Sequence, residues 1–200
     1  MTVIRPTRGA NRRLIWARWV TEATSPAVLA GIIPVVVTVH ASPAGAGWAA
    51  VAVLFVSALP LAVVLVGVRR GRWTDHHLRD RGQRRVPLLI AVTSLGVGGV
   101  ILLVWQAPRD LLALVAAMGV GLLTVLVVTH WWKISVHSAV AAGTVTVLVS
   151  VFGLPLLVLA PVAGLSGWSR TVLDDHTPAQ VLAGMLLGTA VAATVFPPLR

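Results

Sequence analysis

An all-α fold, a polytopic bundle of six or seven transmembrane helices, is what this sequence predicts, on three observations. Hydrophobic residues make up 57% of the 200-residue chain and charged residues only 11%, at a mean hydropathy of +0.90. A soluble domain carries roughly 25% charged residues because its surface faces water, so most of this chain's outside must face lipid. The uncharged runs are long: between Glu22 and Arg69 there is no Asp, Glu, Lys or Arg. Finally, Trp16, Trp19, Trp48, Trp73, Trp105, Trp131, Trp132 and Trp168 fall at or near the ends of apolar runs, where an amphipathic indole sits at a membrane interface.

A spanning helix needs roughly 20 apolar residues. Pro43, Gly45 and Gly47 split the first long run, predicting helices over about 24–40 and 48–68. Further helices are expected over about 87–105, 111–129, 136–152, 154–167 and 178–196. The break at Gly153-Leu154-Pro155 leaves two short pieces beside it. Tilted crossings, a re-entrant pair and one bent helix all fit, so seven crossings are expected with six as the alternative. The bundle occupies 24–200, and the whole chain reads as one membrane-embedded domain. Ahead of it, the basic segment 1–23 predicts a helix over about 10–22 lying on the membrane surface, with Trp16 and Trp19 dipping into the interface. Its order of basic then apolar residues is like a signal peptide only superficially, since further helices follow.

The net charge is +10, but the basic residues are clustered rather than spread along a stripe, which argues for a membrane partner and against nucleic acid. Fourteen of the sixteen Lys and Arg fall on one predicted side, leaving Arg109 and Arg200 on the other. That bias places the N-terminus in the cytoplasm of a multi-pass protein of the cell membrane. With no Cys, neither a disulfide framework nor a thiolate metal site can form.

Helix parity puts three polar segments on that same basic face. They run from Asp75 to Arg85, from Lys133 to Ser138, and from Ser169 to Gln180. Together they are rich in Arg and His without a matching excess of carboxylates, which suits an anionic ligand. The planar guanidinium fork donates two parallel hydrogen bonds to phosphate. Histidine can attack phosphorus or protonate a leaving oxygen near neutral pH. Thr177 and Pro178 read as N-cap and first helical residue, setting His176 beside a helix N-terminus with its free N–H groups. Thr177 and Gln180 have capping-box spacing.

These segments resemble the three-part signature of the type 2 phosphatidic acid phosphatase superfamily, a family of membrane lipid phosphatases. Its third part, Ser-Arg-x5-His-x3-Asp, is matched by Ser169-Arg170 and His176, with Gln180 in place of the Asp. Its Pro-Ser-Gly-His is met by Ser135-Val136-His137, without the Pro and Gly. Its Lys-x6-Arg-Pro is degenerate: aligned on Arg84, it puts His77 at the Lys and Arg85 at the Pro. The stretch from His176 to Gly184 is similar to the His-Thr-x-x-Gln-Val-x-x-Gly variant of the polyprenyl (dolichyl-type) diphosphatase branch. The match spans about residues 75–188.

The resemblance implies a phosphatase acting on a lipid phosphate or diphosphate, with an isoprenoid favoured and no cofactor or metal needed. His176 would be the nucleophile that forms a phosphohistidine, and His137 would protonate the leaving oxygen. Arg170 and Arg84 would hold the phosphoryl oxygens, with Ser135 and His77 as further phosphate ligands and Gln180 orienting the histidine. Its partners would be the lipid substrate and the surrounding membrane lipids. Two alternatives remain: an acyl-lipid phosphatase acting on phosphatidate, and a non-catalytic, lipid-binding member of the family. Most arginines of 69–85 also fit headgroup anchoring. His76 and His77 with Asp75 and Asp80 make a poor metal set, because neighbours on a helix point to different sides and no further ligand segment follows. The glycines Gly96, Gly98, Gly99, Gly184 and Gly188 predict close helix packing.

Overall fold

The computed structural model describes residues 8–74 and 81–200, and the side chains within them from Asn11 to Thr74 and from Gly82 onwards. His77, together with Asp75, His76, Arg79 and Asp80, lies outside the described residues. Within them the chain is mostly helical, with no strand. It runs α1 (Arg8–Ala23), α2 (Pro26–Ala41), α3 (Ala46–Arg69), α4 (Arg85–Val104), α5 (Arg109–Trp131), α6 (Val136–Phe152), α7 (Ala160–Val172) and α8 (Pro178–Leu199).

Each of the seven apolar segments is helical. Four of these helices, α3, α4, α5 and α8, are long and apolar enough to cross a membrane, and the pair α1 and α2, bent by 42°, supplies a fifth if it is one span. Apolar α6 is shorter at 17 residues. The segment after Gly153 differs from expectation. Gly153, at φ 91°, ends α6, and a 3-10 turn over Leu154–Leu159 then leads into α7. Because α7 continues to Val172, Ser169 and Arg170 sit in its last turn and not in a loop. Exposed side chains such as Val104, Leu186 and Val158 form an outer apolar surface fit for lipid.

Local sequence explains the breaks. Ser25 caps α2, its hydroxyl accepting the Val28 N–H at 3.4 Å, and Pro26 takes the first helical position, where no N–H is needed. In α3, the stretch Leu54–Ala58 widens into a π-turn. There the Phe55 carbonyl would be met by the N–H of residue 60, which is proline. The Ser94 hydroxyl of α4 donates to that carbonyl instead, at 2.5 Å. Ser57 in the same turn donates to the Ala27 carbonyl of α2 at 2.7 Å.

The tightest packing is between α6 and α8. A Cβ on Gly188 would collide with the Ala139 carbonyl, and one on Gly184 with the Ser135 carbonyl. Only glycine lets the two backbones approach this closely. Gly98 plays the same part against Phe55, whereas a Cβ on Gly96 would meet nothing. At one end of the bundle lie the N-termini of α4, α6 and α8 and the C-termini of α3, α5 and α7. Helix α1 joins that end, with Thr21 donating to the Ser169 hydroxyl at 2.9 Å and Thr24 to that of Ser166 at 3.1 Å. Its Trp16 and Trp19 are exposed. At the opposite end, Arg200 pairs with Asp110 at 3.5 Å, and the Trp48 indole donates to the Trp105 carbonyl at 3.2 Å.

Candidate functional site

The last turn of α7 builds one half of the site. Helix α7 ends in a Schellman turn: the Asp175 N–H returns to the Arg170 carbonyl at 3.0 Å, and the Asp174 N–H to that of Thr171 at 3.1 Å. Asp174 takes the left-handed conformation this turn requires, at φ 56°. The reversal folds Asp175 and His176 back over Arg170, whose carbonyl also accepts the His176 N–H at 3.2 Å. Arg170 is fully buried, and its Nη2 pairs with Asp175 Oδ2 at 2.9 Å.

Helix α8 then orients His176. The Thr177 hydroxyl accepts the Gln180 N–H at 3.3 Å, and Gln180 Oε1 accepts the Thr177 N–H at 3.2 Å, which completes the capping box. The same Oε1 lies 3.1 Å from His176 Nδ1. An oxygen that accepts from a backbone N–H can only accept from the ring as well, so Nδ1 carries the proton. Nε2 is then left with its lone pair, 3.5 Å from the Arg84 guanidinium. Burial, then Arg84 and Arg170, push the His176 pKa down to about 4; the Gln180 hydrogen bond opposes this weakly, and Lys133 adds to the lowering. His176 is therefore neutral near pH 7, with its unprotonated Nε2 facing the Arg84 guanidinium.

The other two segments converge on the same point. Arg84, at the start of α4 and buried, also donates to the Ile134 carbonyl at 3.2 Å. The Ser135 N–H donates to the Gln180 carbonyl at 3.2 Å, joining the α6 and α8 entrances. Ser135 is the N-cap of α6: its hydroxyl accepts the Ser138 N–H at 3.3 Å and shares a 2.9 Å bond with the Ser138 hydroxyl. It is fully buried, so in this structure it fixes the turn that carries His137. Arg84, His137 and His176 line one end of an apolar cavity of about 320 Å³ that runs between the helices. Arg170 sits behind His176 and does not line it.

Sequence reasoning missed two residues here. The Lys133 ammonium donates to the Asp175 carbonyl at 2.7 Å, which brings a third cation to the cluster. Asp175, within the third polar segment but given no role from the sequence, supplies a buried carboxylate to the site. Nothing in the sequence marks either, because both placements depend on the α7 turn. Arg85 lies apart from this group, in contact with His130 on the exposed end of α5. No family model, curated protein or solved structure matches this chain, so the fold and the site stand on their own residues.

Proposed function

We propose that the protein is a membrane phosphatase that hydrolyses a lipid phosphate or diphosphate through a phosphohistidine on His176. The observation that carries this is the neutral His176, its Nε2 lone pair directed at Arg84 and its Nδ1–H held by Gln180, at the mouth of an apolar cavity. An anion held at Arg84 meets the nucleophile at one end of the cavity, and an apolar tail can occupy the rest.

In the first step Nε2 attacks phosphorus and forms a P–N bond as the P–O bond to the leaving group breaks. The leaving oxygen takes a proton from the His137 imidazolium. In the second step water attacks phosphorus, gives a proton to the now neutral His137, and the P–N bond breaks to release phosphate. Arg84 stabilises the equatorial oxygens directly, while the charges of Arg170 and Lys133 add to the positive field behind them. Isoprenoid phosphates are the favoured substrates, through the likeness of His176–Gly184 to the prenyl diphosphatase branch. The site faces the cytoplasm by the Lys and Arg bias.

Purified protein in detergent with EDTA, given prenyl and acyl phosphates in parallel, tests this. Phosphate release from wild type that His176→Ala and His137→Ala abolish is the expected result. Faster release from acyl lipids would move the substrate to phosphatidate. No release from any lipid would leave a non-catalytic lipid-binding protein.

A further inference from the structure

We infer that the cavity behind His176 is a ruler for a single apolar tail, graduated along α5 by Gly121 and Ala117. This rests on the lipid-phosphate assignment above and names which lipids fit. The cavity extends from His137 along α6 to Val147, about 15 Å at 1.5 Å per residue. An extended chain advances roughly 1.2 Å per bond, so that depth takes about a dozen carbons. Volume gives a similar answer: an apolar cavity of about 150 Å³ holds a six-carbon ring, and this one measures about 320 Å³. One tail fits and two do not, so a second chain or a longer tail must leave between the helices into the bilayer.

Farthest from His176 the lining passes into the buried core, at Ile33, Leu114, Ala117, Val147 and Ala192. Along α5, Val125, Gly121 and Ala117 line the wall in order away from His176, spaced about 6 Å apart. The latter two are the smallest side chains on that face, so they leave the depth open. A Cβ on Gly121 would meet Val191 at an ordinary 3.8 Å, so a larger residue there projects into space rather than into backbone.

Alkylphosphonates, whose C–P bond this chemistry does not cleave, provide a ladder of chain lengths for protein held in nanodiscs. Affinity is expressed against each phosphonate's mole fraction in the lipid, because a methylene gains almost nothing in moving from a bilayer to an apolar cavity. Wild type should bind chains up to roughly a dozen carbons alike and lose affinity beyond that length, where the tail must bend out between the helices. Gly121→Leu should lose affinity at shorter chains than Ala117→Leu, and both at shorter chains than wild type. Gly121→Ala, which adds one methyl in open contact, should shift the same way by less and covers the case in which a leucine variant does not fold. One cut-off length common to all the proteins, or none in any, overturns the ruler. Lipid phosphate hydrolysis is scored on the same samples: lost hydrolysis with an intact ladder removes the phosphatase assignment alone, and intact hydrolysis without graded cut-offs removes the ruler alone.

Discussion

At the scale of single residues, the proposed chemistry depends on which nitrogen of His176 carries the proton. Gln180 Oε1 serves both the helix cap and the ring, so its loss should disturb both. Gln180→Asp keeps an acceptor and is expected to change kcat by less than about tenfold, whereas Gln180→Leu should lose about 10- to 100-fold. In the proposed mechanism the same histidine sets the acid limb of activity. With its pKa near 4, kcat/KM should hold through pH 5–6, where an ordinary histidine is protonated, and fall only toward pH 4. Between about 4 and the usual 6.5 the unfolded chain binds a proton that the folded chain refuses, so stability should also decline as pH falls through that window. An acid limb near 6.5 would show that the nucleophile is another group. Most of these residues could be read from the sequence, since motif spacing fixes which side chains meet at a helix entrance. Asp175 and Lys133 could not, because a left-handed turn at Asp174 is needed to bring them together.

At the scale of helices, two local devices hold the site. One is the Schellman turn closing α7. Asp174→Val, a β-branched residue forced to φ 56°, should cost about 1–2 kcal/mol and lower activity by displacing Asp175 and His176, while Asp174→Gly should be tolerated. The other is the glycine contact between α6 and α8. Gly188→Val should cost about 1–3 kcal/mol, read as a lower Tm, and should reduce activity more than the equivalent change at Gly96, where a Cβ meets nothing. The apolar pattern located the helices to within a few residues, because hydropathy changes sharply at the polar connections. It missed the extension of α7 through Arg170, since Trp168, Ser169 and Arg170 look like a loop until the turn after them is known. The π-turn at Leu54–Ala58 was equally hidden: Pro60 signals a lost N–H but not which neighbour supplies the hydroxyl.

At the scale of the whole molecule, helix parity brought three distant polar segments to one end of the bundle. The fold places Arg84, Ser135, His137 and His176 together there, with Arg109 and Arg200 at the other end. The sidedness proposed from the charge bias can be checked directly because the chain has no native Cys. Single cysteines at Arg12, Arg70 and Trp131 should react with an impermeant thiol reagent only from the cytoplasmic side, and one at Gln106 only from the other. The cavity was beyond sequence reading. Its lining alternates among six helices, and small residues such as Gly121 and Ala117 show their purpose only when the helices are assembled.

The most direct test of the central claim is to trap the intermediate. Protein mixed with a lipid phosphate, quenched in alkali within one turnover and digested for mass spectrometry, should carry one phosphoryl group on the His176 imidazole. The adduct should be absent from His176→Ala and should form more slowly in His137→Ala, which lacks the proton donor for the leaving oxygen. Phosphate release undiminished by His176→Ala, with no phosphoryl group on that residue, would contradict the account.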